Sequence, residues 1–194
     1  MIVGIDAFAH KVGDGKIDEE LINLFKERRN VFLAPAQFGG AVTQDVDWLR
    51  ESEPAEQLQQ VQVEFRNQLT DRPGGHLRQD FQTWADNLRR LRAAGVRIAL
   101  GSDSGYPWGP HIEMADMVKA GMTPAEVIVA ATSNSADLLR LTDVGTIHAG
   151  KSADFLVLDA NPLDDIRNTR RISAVSLRGV EVDRAGLRAR WTEQ

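Results

Sequence analysis

The chain has 194 residues, ordinary apolar content and 23 basic against 28 acidic side chains, a formal charge of −5, so nothing in its balance attracts nucleic acid or an anionic membrane surface. It has no cysteine, which removes disulfides, thiolate metal sites and cysteine nucleophiles together; any metal must be held by histidine and carboxylate. No run approaches the length of a membrane span, and Met1 is followed by neither a basic leader nor a cleavage site, so a cytoplasmic setting is the expectation, with room for a signal upstream.

In chain order, Ile2 to Ala9 reads as a short buried strand, and Ile17 to Arg29 as a helix with Leu21, Leu24 and Phe25 on one face. Asp14 reads as a loop acid and Asp18 as the N-cap ahead of Glu19 and Glu20. Val31 to Ala34 is a second strand. An insertion over 38–76 follows, with helices expected at Gln44 to Leu49 and Ala55 to Leu69 and a turn at Arg72-Pro73-Gly74-Gly75 that includes His76. Leu77 to Ala94 is the next helix, closed by Gly95. Val96 to Leu100 is β-branched and apolar, as in strands covered on both faces. His111 to Ala120 and Pro124 to Leu141 are two further helices, the second with Thr123 as N-cap and Pro124 in its first turn. From Gly145 the style changes to short strands, Ala153 to Leu158 and Ile172 to Leu177, with Gly179 turning into Val180-Glu181-Val182.

The most informative residues are Gly101-Ser102-Asp103-Ser104-Gly105, where an apolar strand ends on a carboxylate in an open loop. An acid at the C-terminal end of a parallel strand stands where barrel active sites are built. For a lone Gly-Ser-Asp, a turn or a helix cap is the plainer account. Gly101 and Gly105 do not form a phosphate loop, because no Lys-Ser/Thr pair follows in frame.

These residues and their order resemble the metal-dependent amidohydrolase superfamily, in its imidazolonepropionase-like and prolidase-like branch. Gly4-Ile5-Asp6-Ala7-Phe8-Ala9-His10 is similar to the sixth strand of that family's (β/α) barrel, Val31 to Pro35 to the seventh, and Gly101-Ser102-Asp103-Ser104-Gly105 to the eighth. His111-Ile112-Glu113-Met114, Ala120 to Glu126 and Ala131-Thr132-Ser133-Asn134-Ser135-Ala136 resemble the helices that follow. Gly145-Thr146-Ile147, Gly150 to Phe155 and Asp159 to Leu163 resemble the return into a small β-sandwich.

The resemblance implies an α/β fold: the last three strand-helix units of a TIM-type barrel over 1–144, then part of a small β-sandwich over 145–194. It implies a hydrolase of C–N bonds (amide, cyclic amide or dipeptide) that uses one or two divalent ions, zinc above all. His10 and Asp103 correspond to metal ligands, and Asp103 also to the acid that takes the proton of the attacking water. A metal makes that transfer easy, since it lowers the pKa of bound water from about 15.7 to as little as ~7. His111, Glu113, Tyr106 and Trp108 are assigned to substrate contact or to support of the ligands. Polar first-turn residues and aromatic packing account for them nearly as well. His76 and His148 read as surface loop residues.

A complete barrel needs eight such units and roughly 250 residues, and the family's His-x-His pair occurs nowhere in this chain. With two ligands where a catalytic zinc site ordinarily has three plus an open position, the chain is expected to be inactive alone. Three accounts stay open: a C-terminal portion of a hydrolase, which is favoured; a subunit completed by another chain or by a homo-oligomer; and a non-catalytic binding remnant. The expected partners are a small-molecule substrate and the N-terminal barrel portion, with no nucleic acid and no membrane.

Overall fold

The computed structural model describes residues 6–10, 15–28, 32–33, 76–103 and 108–192. The helices expected at Gln44 to Leu49 and Ala55 to Leu69, the turn at Arg72 to Gly75, Asp14 and Tyr106 lie outside them. Three short strands, β1 (Ala7–Phe8), β2 (Phe32–Leu33) and β3 (Arg97–Ile98), form a parallel sheet in the order β1-β2-β3. Its register pairs Ala7 with Phe32 and Phe32 with Arg97. The ladder is thus shorter than the five-residue strand expected at Val96 to Leu100, but its order and direction are those expected.

Helix α1 (Glu19–Glu27) starts as the sequence indicates, with the Asp18 carboxylate accepting from the Leu21 amide at 2.8 Å. Ile22 and Phe25 are buried, and the Phe25 ring packs 5.5 Å from that of Phe8, joining helix to sheet. Helix α2 (His76–Ala93) carries Trp84, Leu88 and Leu91 in the centre of the core. His76 therefore opens a helix instead of lying in a turn. Buried Asn87 of α2 ties down the chain before α1: its Oδ1 accepts from the Ile17 amide at 3.0 Å and its Nδ2 donates to the Gly15 carbonyl at 2.7 Å. One side chain thereby satisfies two backbone groups about seventy residues away.

Helix α2 ends in a Schellman motif, with Gly95 at φ +82° and the Val96 amide reaching back to the Leu91 carbonyl. Helix α3 (Gly109–Lys119) ends the same way at Gly121, φ +101°, with Met122 bonded to Met117. Helix α4 (Pro124–Val129) opens with a full capping box between Thr123 and Glu126. The Thr123 amide, together with Arg92 of α2, holds the Glu126 carboxyl below its ordinary pKa. The helix expected to run to Leu141 widens into a π-helical turn at Ala130–Asn134, closes as α5 (Ser135–Leu138), and ends on Arg140 at φ +57°.

The tail forms an antiparallel sheet of β4 (Phe155–Leu158), β5 (Ile172–Leu177) and β6 (Val180–Glu181) in that order. Arg178 and Gly179, at φ +53° and +80°, make the two-residue turn between β5 and β6, which matches the twist of a hairpin. A 3₁₀ helix (Ile166–Arg170) between β4 and β5 inserts Ile166 into the same core as Trp84 and Met117. Helix α6 (Arg184–Thr192) follows β6. Among the described residues no helix is long and apolar enough to cross a membrane.

Candidate functional site at the carboxyl edge of the parallel sheet

Because β1, β2 and β3 run parallel, the residues that leave them emerge at one edge of the sheet. His10 stands there two residues beyond β1, in a bend, and Asp103 five residues beyond β3; both are exposed. Asp103 has φ +46°, a left-handed conformation uncommon outside glycine, asparagine and aspartate. These are the two residues matched to metal ligands, brought to the same rim from positions more than ninety apart in sequence.

The other candidates are placed differently. Trp108 is half-buried directly ahead of α3. His111, also half-buried, turns to the tail: its Nδ1 lies 3.1 Å from the Thr169 Oγ1 of the 3₁₀ helix. The Thr169 hydroxyl spends its one proton on the Ile166 carbonyl at 2.8 Å, so it is the acceptor toward His111 and the imidazole carries its proton on Nδ1. Burial first, and the Arg170 guanidinium second, hold the His111 pKa below its ordinary value. Glu113 is completely buried on α3, as is Asp116. His148 is exposed in a loop, its carbonyl accepting from the Lys151 amide, as a surface residue would be.

The donors at the edge are right in kind for a divalent ion, an imidazole and a carboxylate. In number they fall short: among the described residues no cluster of three or more His, Cys, Asp or Glu side chains is assembled to hold a metal.

Behind Asp103 lies an arrangement that the sequence reading did not foresee. The Leu100 amide, three residues ahead of Asp103, donates to the Ala130 carbonyl at 3.1 Å and to Ser135 Oγ at 3.2 Å. Ser135 Oγ in turn donates to the Ala130 carbonyl at 2.7 Å, and Asn134 Nδ2 donates to the Ile98 carbonyl at 2.8 Å. The signal was present as Thr132-Ser133-Asn134-Ser135 in the middle of a helix. Such residues compete for backbone hydrogen bonds and disfavour a regular helical interior.

The profile of the Amidohydrolase family matches residues 28–182. Imidazolonepropionase from Streptomyces griseus is 42% identical over an alignment of 86 positions that covers 40% of this chain and 21% of that protein. Among solved structures, an Xaa-Pro dipeptidase with methionine bound in its active site superposes with a TM-score of 0.65 at 25% identity, covering 93% of this chain and 40% of that one. Molinate hydrolase does so with a TM-score of 0.61 at 29% identity, covering 89% and 37%. The chain thus spans about two fifths of the solved structures it resembles, and the match to the curated relative spans about a fifth of that protein.

Proposed function

The chain belongs to the amidohydrolase family, and from that premise we propose that it supplies one part, His10 and Asp103 included, of a metal-dependent hydrolase of C–N bonds. The observation that carries the reading is the convergence of His10 and Asp103 on the carboxyl edge of the parallel sheet. That edge is where (β/α) barrels build their active sites, and the three strands correspond to the last three of such a barrel. A divalent ion held there, zinc in first place, would polarise a carbonyl and acidify water. Asp103 is the group on this chain that would accept the proton of the attacking water, being a carboxylate on an open loop. His10 would hold the ion through a neutral ring nitrogen. Glu113 and His111, on the helix behind the Asp103 loop, would fix the walls of the site, and Trp108 and Tyr106 would line its mouth. The substrate class is a small amide, cyclic amide or dipeptide.

Two donors make an incomplete site, so the remaining ligands would come from polypeptide outside these 194 residues, as an N-terminal barrel portion or a partner chain. The solved relatives, more than twice as long, support this. The purified 194-residue chain is expected to retain little tightly bound zinc by elemental analysis and to hydrolyse a panel of dipeptides and cyclic amides poorly, because losing ligands lowers affinity steeply. Adding or co-expressing the polypeptide encoded upstream should restore both. Stoichiometric zinc and strong turnover in the isolated chain would overturn the incomplete-site reading; zinc and turnover absent from the completed protein would overturn the enzyme reading.

A further inference from the structure

We propose that the π-helical turn Ala130–Asn134, with Ser135, is a clamp that sets the position of Asp103, and that Asn134 and Ser135 are its positioning residues. The proposal rests on the reading of Asp103 as a site residue, but its test does not depend on metal or turnover.

The Ile98 carbonyl closes β3, and the Leu100 amide lies two residues beyond it. Both are engaged from the helix side, by Asn134 Nδ2 at 2.8 Å and by the Ala130 carbonyl and Ser135 Oγ at 3.1 and 3.2 Å. Such bonding needs a distorted helix. Ser135 Oγ reaches back five residues, to Ala130, in the wide register of a π turn. The same carbonyl then accepts from both Ser135 and the strand. Arg97 of β3 adds a bond to Asp137 of α5 at 3.1 Å. From the other side the loop at Gly145 presses on the turn. A Cβ built at that glycine would lie 2.6 Å from Ala136 Cβ and 3.2 Å from both Ser133 Cα and the Thr132 carbonyl. The turn is held between the tail loop and the strand.

Only Gly101 and Ser102 separate the fixed Leu100 amide from Asp103. The aspartate is therefore tethered within about 11 Å of a point defined by the clamp, at ~3.6 Å per residue. Its left-handed φ of +46° is a backbone state that aspartate reaches more readily than most residues, and it gives the clamp a defined conformation to select. A regular helix with alanine at 134 and 135 would still cover β3 but would leave the strand end without these bonds.

The test uses the whole chain with isotope labelling and four variants: Asn134→Ala, Ser135→Ala, the pair together, and Ser135→Thr, which keeps the hydroxyl. Amide exchange at Leu100, the ¹³Cα and ¹³Cβ shifts of Asp103 and the thermal midpoint are read in parallel. The double variant should exchange at Leu100 at least about fivefold faster, the loss of about one net hydrogen bond. Its Asp103 shifts should leave their left-handed values, whereas Ser135→Thr keeps both near wild type. Should the double variant fail to fold, the single variants must each move Asp103 in the same direction. Faster exchange at Leu100 with unmoved Asp103 shifts overturns the positioning role, since a merely structural contact would behave that way. Unchanged exchange at Leu100 overturns the clamp itself. Either failure leaves the hydrolase reading standing, and failure of the zinc and turnover test leaves the clamp standing.

Discussion

At the scale of single residues, His111 shows how much an assignment depends on neighbours distant in sequence. Its place eight residues after Asp103 invited a role at the mouth of the site, yet its ring is hydrogen-bonded to Thr169, which no local pattern links to it. Burial and the Arg170 guanidinium disfavour its charged form, so its folded pKa lies below the ordinary 6.5. The unfolded chain then binds more protons in mild acid. This contribution to stability is full above pH 6.5 and is lost as the pH falls through the lower, folded pKa. His111→Asn, whose Nδ2 takes the place of the imidazole Nδ1 as a donor toward Thr169 without titrating, should flatten the dependence of urea-unfolding free energy on pH below about 7. Parallel profiles for wild type and variant over that range would show that His111 does not titrate as the geometry requires. For Asp103 and His10 it is the position that was legible: each follows an apolar strand, and the parallel strand order sends both toward one edge of the sheet. The failure to foresee Asn134 and Ser135 has a physical cause, since their partners are backbone groups of a strand about 35 residues earlier.

Among the elements, boundaries set by local chemistry were readable and those set by distant packing were not. Asp18, Thr123 with Glu126, Gly95 and Gly121 act in the structure as their residue types indicate. Arg140 closes α5 with the same bond pattern that Gly95 gives α2, but an arginine in the left-handed region carries no signature. The 3₁₀ helix was missed because Ile166 is its one core anchor, and α6 because Gly186 breaks its helical pattern even though the Asp183 carboxylate caps it through the Gly186 amide at 2.9 Å. The tail sheet was anticipated strand by strand, alternation and the Gly179 turn being local signals. Gly145 is the element-scale test. With φ +85° and no room for a Cβ beside Ala136, Gly145→Ala should cost about 2–4 kcal/mol in chemical denaturation, the sum of left-handed strain and overpacking. A change under about 0.5 kcal/mol would mean that this loop does not bear on the π turn.

For the molecule as a whole, two features accord with the proposal that further polypeptide completes the site. The first is that, among the described residues, no group of three or more His, Cys, Asp or Glu side chains is assembled to hold a metal, where a catalytic zinc site ordinarily has three protein ligands. The second is β4, where Phe155, Leu156 and Val157 are 43%, 51% and 45% exposed. Successive strand residues face opposite sides, so both faces of β4 present apolar surface, as a sheet would if further polypeptide packed against it. The family was legible because its motifs keep their order along the chain, whereas the substrate was not, because a fold of this kind serves many substrates and the side chains that choose among them carry no shared pattern. The central claim, that Asp103 accepts a proton in the hydrolysis of a C–N bond, is tested most directly by the turnover of Asp103→Asn in the completed protein. The amide keeps the shape of the side chain and removes the base, so with zinc saturating and its occupancy checked by elemental analysis kcat should fall by about 10²–10⁴-fold; an Asn variant that turns over within twofold of wild type would contradict it.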